Sequence, residues 1–131
     1  MKIFKVLATS IVFLSTFMVG GCSNSLTSED MYGEYSIMLN NIEYVLIIAP
    51  DGTFKQKEIT NGTLLREFNK KWEDISEIGD ETRFVLQGFV FPTRKNGSEW
   101  PAVLERRWGK LSLCYFDEKG LTKCFVKRKS Q

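Results

Sequence analysis

Tyr44-Val45-Leu46-Ile47-Ile48-Ala49-Pro50-Asp51-Gly52-Thr53-Phe54-Lys55-Gln56-Lys57-Glu58-Ile59 is the stretch from which the fold of this chain is read. Its first six residues form the most apolar strand of the domain, rich in β-branched and aromatic side chains. Pro50-Asp51-Gly52 then supplies a turn, because proline fixes φ and glycine accepts the left-handed conformation. Thr53 to Ile59 returns as the partner strand. Pairing Ala49 with Thr53 sets Ile48 opposite Phe54 on one face and Ile47 opposite Lys55 on the other, as the two-residue period of a strand requires. The stretch is an antiparallel hairpin.

The same pattern continues outward in both directions. Tyr35 to Leu39 and the turn Asn40-Asn41 precede it. Asn61-Gly62 marks the next tight turn. A strand holding Trp72 is predicted over 71–78, followed by a Gly79-Asp80 turn and an apolar strand from Arg83 to Phe91. Gly88 within that strand signals a bend, a bulge or a close backbone approach. Pro92 to Pro101 reads as one loop, and Ala102 to Arg107 and Lys110 to Phe116 are strands around Trp108-Gly109. Leu121 to Lys127 is the last strand. Before them all, Thr27-Ser28-Glu29-Asp30 resembles a helix start with an acid three residues after its cap, good for one short turn ending near Gly33. About eight short strands at intervals of about 8–12 residues predict an all-β fold, a small antiparallel meander barrel or sandwich.

The N-terminal residues have another logic. Lys2 and Lys5 precede an apolar run over 6–19 that is broken only by Thr9, Ser10, Ser15 and Thr16. The run suits the ~7–15 residues of a signal-peptide core and falls short of the ~20 of a membrane-spanning helix. It ends on Val19-Gly20-Gly21-Cys22, which resembles a bacterial lipobox. That resemblance implies a diacylglycerol on the Cys22 sulfur, cleavage before Cys22 and acylation of the new N-terminus. Anchoring by more than one chain is stable where one chain is marginal. Ser23 is not the aspartate that retains such proteins at the inner membrane in the enterobacterial pattern. The expected organisation is a signal peptide over 1–21, a lipidated tether over 22–28 and a single domain over 29–131. The expected location is the cell envelope, on the periplasmic face of the outer membrane.

Without Lys2 and Lys5 the chain holds 16 basic and 16 acidic side chains. Zero net charge argues against general nucleic-acid binding, which needs a positive excess to displace counterions. The charges are unevenly placed: residues 22–93 carry 6 basic and 12 acidic groups, and residues 94–131 carry 10 basic and 4 acidic. Either the two parts complement each other within the fold, or the C-terminal part presents a basic patch to an anionic partner.

Of three cysteines, Cys22 is assigned to lipid, which leaves Cys114 and Cys124. Asp117 opens a type I turn and Gly120 suits the left-handed position that closes a three-residue loop. Pairing Asp117 with Leu121 puts Cys114 directly opposite Cys124 at a non-hydrogen-bonded position, where Cα atoms are ~4.5 Å apart. An exported compartment permits a disulfide there. Two free buried thiols or a two-cysteine metal site are the alternatives, and neither has further cysteine or histidine ligands to recruit.

Tyr32-Gly33-Glu34-Tyr35, Pro50-Asp51-Gly52-Thr53-Phe54 and Trp72 together resemble the small lipocalin-like lipoproteins of bacteria. The resemblance implies a meander barrel and says little about function. The chain has no histidine, which removes the Ser-His-Asp and Cys-His routes, histidine metal ligation and the usual base near neutrality. The pairs Glu73-Asp74, Asp80-Glu81 and Asp117-Glu118 read as solvated turns or strand edges, since adjacent strand residues face opposite ways. No phosphate-binding glycine pattern occurs, and neither a metal nor a cofactor is expected. The expected function is a non-enzymatic protein-binding module, an immunity, inhibitor or exclusion lipoprotein, with a periplasmic partner such as an acidic toxin or enzyme. The candidate contact residues are Trp100 in its loop and the neighbouring Arg94, Lys95, Arg106 and Arg107, since Trp and Arg are favoured interface anchors. A carrier of a small apolar or lipid ligand and a purely structural envelope lipoprotein are the alternatives.

Overall fold

The computed structural model describes residues 26–78 and 81–129, with residues 75–78 and 81 described in backbone only. Residues 1–25, including Val19-Gly20-Gly21-Cys22, and the Gly79-Asp80 turn lie outside the described residues. The elements are α1 (Ser28–Met31), β1 (Gly33–Leu39), β2 (Ile42–Ile48), β3 (Thr53–Thr60), β4 (Thr63–Ile78), β5 (Glu81–Phe89), β6 (Ser98–Arg107), β7 (Lys110–Phe116) and β8 (Thr122–Lys127). The eight strands form a closed antiparallel meander barrel, each pairing with its chain neighbours and β1 with β8.

The 44–59 hairpin has the register expected of it, with Ile48 opposite Phe54 and Ile47 opposite Lys55. Ala49 N donates to Thr53 O at 3.0 Å. The Asp51 carboxylate accepts from the Thr53 amide at 3.1 Å and hydroxyl at 2.6 Å, and these bonds hold its pKa below the usual carboxylate value. The following strand locks the turn: Trp72 Nε1 donates to Ala49 O at 2.8 Å and Trp72 N to Gly52 O at 3.0 Å. That strand is longer than the sequence suggests, running from Thr63 instead of from Lys71. Its first half pairs with β3 and its second with β5, so its inward and outward positions are not one simple alternation. Register shifts at Glu58/Ile59 and Asp74/Ser76 add the local twist that curls a sheet into a barrel.

A second correction concerns residues 92–101. Strand β6 begins at Ser98, so Ser98 to Pro101 belong to the sheet. Of the bend, bulge or close approach signalled by Gly88, the structure has a bulge: the Gly88 φ is 66°, the register shifts between Leu86 and Phe89, and Phe89 pairs with Ser98. Pro101 is tolerated because β6 pairs with β7 only from Leu104 to Arg107. Its missing N–H therefore faces no ladder on that side.

Large side chains fill the barrel axis. Tyr35, Phe54, Phe84, Phe89 and Phe125 are buried almost completely. The Phe89 ring centre lies 4.7 Å from that of Trp100, 4.9 Å from Phe91 and 5.8 Å from Phe125, distances at which aromatic pairs add to their burial energy. Both ends are plugged. At one, α1 buries Met31 and the chain before it buries Leu26, with Thr27 and Asp30 forming the capping box. The Tyr35 hydroxyl donates to Met31 O and the Lys127 ammonium to Asp30 O, both at 2.7 Å, which satisfies carbonyls that a single helical turn leaves open. Burial raises the Tyr35 pKa and lowers that of Lys127. At the other end, the connection from β5 to β6 crosses the opening. Buried Gln56 holds it, donating to Val90 O at 2.8 Å and accepting from Val90 N at 2.9 Å.

The C-terminal hairpin is closed as its sequence indicates. Cys114 and Cys124 are directly opposite and disulfide-bonded, with Cα atoms 4.0 Å apart. Asp117 N donates to Leu121 O at 2.9 Å and Gly120 N to Asp117 O at 3.0 Å.

Gln56→Ala is expected to lower stability in urea unfolding by about 2–4 kcal/mol, because it strands a buried donor and a buried acceptor on Val90. Gln56→Leu, which fills the same volume, should not restore the loss. Replacing Cys114 and Cys124 together by serine should cost roughly 2–3 kcal/mol on the loop-entropy account, and adding reductant to the unchanged protein should reproduce the loss.

Candidate binding surfaces

The residues proposed from sequence as one contact site do not form one. Trp100 is only 7% exposed, and its ring packs against Phe89, Phe91 (5.3 Å) and Tyr115 (6.1 Å). It is a core residue, because strand alternation turns it inward together with Ala102 and Leu104. Arg94 and Lys95 lie before β6, and Arg106 and Arg107 at its far end. Ten residues of strand separate them, a rise of about 30 Å. The barrel therefore has two candidate surfaces, one at each end.

At the end opposite α1, the backbone turns back at Phe91, where Arg94 N donates to Phe91 O at 3.1 Å. Arg66 braces this turn. Its guanidinium pairs with the nearly buried Glu58 and also donates to Arg94 O at 3.0 Å, so the Glu58–Arg66 pair has a structural role. Arg94 reaches Glu118 at 3.6 Å and lies 5.9 Å above the Phe91 ring. Phe91, Pro92, Thr93, Arg94, Tyr115, Phe116, Asp117 and Glu118 enclose a cavity of about 170 Å³. Tyr115 in its wall is pushed up to about 12 by burial and by the nearby Asp117 charge, so the phenol stays neutral. Phe116 and Leu121 beside it are 74% and 55% exposed. Met38, on the outer face of β1 toward the same end, is also exposed.

At the α1 end, the outer wall of β7, β8 and β1 forms an open groove. Glu34, Arg106, Gly109, Lys110, Arg128 and Lys129 are among its lining residues. Arg128 is spent on Glu34 and Glu43. Arg107 lies 3.7 Å from Glu105 and 3.4 Å from Cys124 Sγ, over the disulfide. Among the described residues, Arg106, Lys110 and Lys129 are in no ion pair. The hairpin tip between β6 and β7 carries Trp108, which is 97% exposed. Sequence reasoning placed this tryptophan in a turn and passed over it. The signal lay in the turn itself: Trp108 and Gly109 occupy the two central positions with φ of 54° and 75°, a conformation that favours asparagine or glycine.

Among the described residues, no three or more Cys, Asp or Glu side chains gather as metal ligands would. Compared with known protein families, curated proteins and solved structures, the chain matches none of them.

Proposed function

We propose that this protein is a membrane-anchored envelope lipoprotein whose barrel binds a periplasmic protein without catalysing a reaction, in the manner of an immunity or inhibitor protein. The observation that carries the reading is the aromatic-walled cavity formed by Phe91, Tyr115 and Phe116. Its volume of about 170 Å³ is below the ~300–1,000 Å³ of ordinary small-molecule sites and fits one inserted side chain. Exposed Phe116 and Leu121 would surround such an anchor with apolar contact, the arrangement found at interface hot spots. The rings that fill the barrel axis weigh against an interior carrier of apolar ligands. With Cys22 acylated and α1 toward the membrane, this cavity faces away from the bilayer, where a protein in the periplasm can reach it.

Two measurements test the reading. The intact mass of the purified protein should correspond to a chain beginning at Cys22 with added acyl chains, and Cys22→Ser should give an unprocessed or soluble product. In pull-down from periplasmic extract, Phe116→Ser should weaken capture of a specific protein by tenfold or more, about 1.4 kcal/mol, at an unchanged melting temperature. Equal capture by Phe116→Ser and the unaltered chain would remove the cavity from the interface.

A further inference from the structure

Trp108 is costly where it stands. A bulky side chain at positive φ is strained, and here its ring is also left in water, while asparagine at the same position would relieve both. Folding therefore gives no reason for this tryptophan. Arg106 and Lys110 flank it in the same hairpin; with Lys129 they are in no ion pair among the described residues and line one groove with Gly33, Gly109 and the Arg128-paired Glu34. Gly33 begins β1 directly after α1, so the exposed tryptophan and its basic neighbours share the end of the barrel at which the chain enters. Cys22 is four residues before Leu26. Fully extended, those residues reach about 14 Å.

We propose that this end of the barrel docks on an anionic lipid bilayer, with Trp108 at the level of the headgroups and Arg106, Lys110 and Lys129 against lipid phosphates. The direction of the contact rests on the Cys22 anchor of the preceding section; the chemistry of the contact does not. Tryptophan favours the membrane–water interface, because its ring is apolar and its N–H can remain hydrated. Basic side chains are drawn to anionic headgroups within a Debye length of the surface. A projecting hairpin tip suits a deformable surface, whereas a protein hot spot would need a matching pocket. Of the acidic residues at the same end, Glu34 and Glu105 are paired with Arg128 and Arg107, and the others, Glu29, Asp30, Asp51, Glu73, Asp74, Glu77 and Glu81, lie on α1, the β2–β3 turn, β4 and the start of β5. The barrel should therefore lean onto its β6–β8 side. That posture keeps the Phe116 cavity pointed outward.

The experiment uses the purified mature protein with vesicles of phosphatidylcholine alone or with about one third phosphatidylglycerol, some carrying brominated acyl chains. With phosphatidylglycerol present, tryptophan emission should shift to the blue and be quenched by bromine. Trp108→Asn should abolish both changes while melting no lower than the unaltered protein, because asparagine suits the turn. Changing Arg106 and Lys110 to serine should weaken the effect about tenfold, and so should 0.5 M salt. Trp108 emission that stays water-exposed, or that shifts equally on both vesicle types, overturns the proposal, as does a Trp108→Asn protein that still shows the shift. Mass measurement keeps the two readings separate. An acylated protein whose Trp108 remains in water retains its anchor and loses the docking surface. A protein without acyl chains loses the anchor, and its binding to added vesicles still decides the docking.

Discussion

Eight strands wound as a meander leave two raw edges unless the first and last strands meet, and this barrel meets across a short seam. Strands β1 and β8 pair only at Tyr35–Lys127 and Ser36–Val126, continued by Arg128 N donating to Glu34 O at 2.8 Å. Arg128 then spreads its guanidinium over Glu34 of β1 and Glu43 of β2. Those side chains are partly exposed, so the ion pairs add modestly to stability. Their value is positional: a forked cation holds three strands in register. The seam also depends on α1, since Tyr35 and Lys127, one from each seam strand, both bond to its carbonyl oxygens. Edge closure and end closure are one construction.

Beyond Ser36 and Val126 the two strands have no ladder in common; Ile37 to Leu39 pair with β2 and Thr122 to Phe125 with β7. Here the disulfide matters most. It binds β7 to β8 on the side where β8 lacks β1, and Arg107 lies over its sulfur atoms. The charge division along the chain has a partly internal purpose, because Arg128 from the basic C-terminal part neutralises two carboxylates of the acidic N-terminal part. Of the basic side chains left without an ion pair among the described residues, Arg106, Lys110 and Lys129 line one groove at the α1 end, and Lys95 and Lys119 lie at the other end.

The division of the barrel into two ends follows from its geometry. An up-and-down barrel sends alternate turns to opposite ends. The turns at residues 40–41, 61–62 and 117–120 share an end with the β5–β6 connection, and those at 50–52 and 108–109 share the other with α1. The lipid anchor proposed at Cys22 would thus turn the α1 end toward the membrane and the other end to the space beyond. The aromatic cavity and the exposed tryptophan fall on different sides of that division.

By itself the sequence determined the local chemistry. The 44–59 hairpin, the bulge at Gly88, the Asp117–Leu121 turn and the Cys114–Cys124 pairing all follow from turn residues and a period of two, which act over a few neighbours and need no knowledge of the rest. The length of β4 and the strand character of Ser98 to Pro101 were less legible, since each depends on which remote strand offers a ladder. Only the tertiary structure decided which tryptophan is core and which is surface. Trp100 stands between Glu99 and Pro101 in a stretch that reads as a loop, yet it belongs to β6, whose alternation turns it inward onto Phe89. Trp108, between Arg107 and Gly109, projects from the β6–β7 turn into water. Burial depends on contacts between residues far apart in the chain, and local pattern alone does not fix which strand neighbours will supply them.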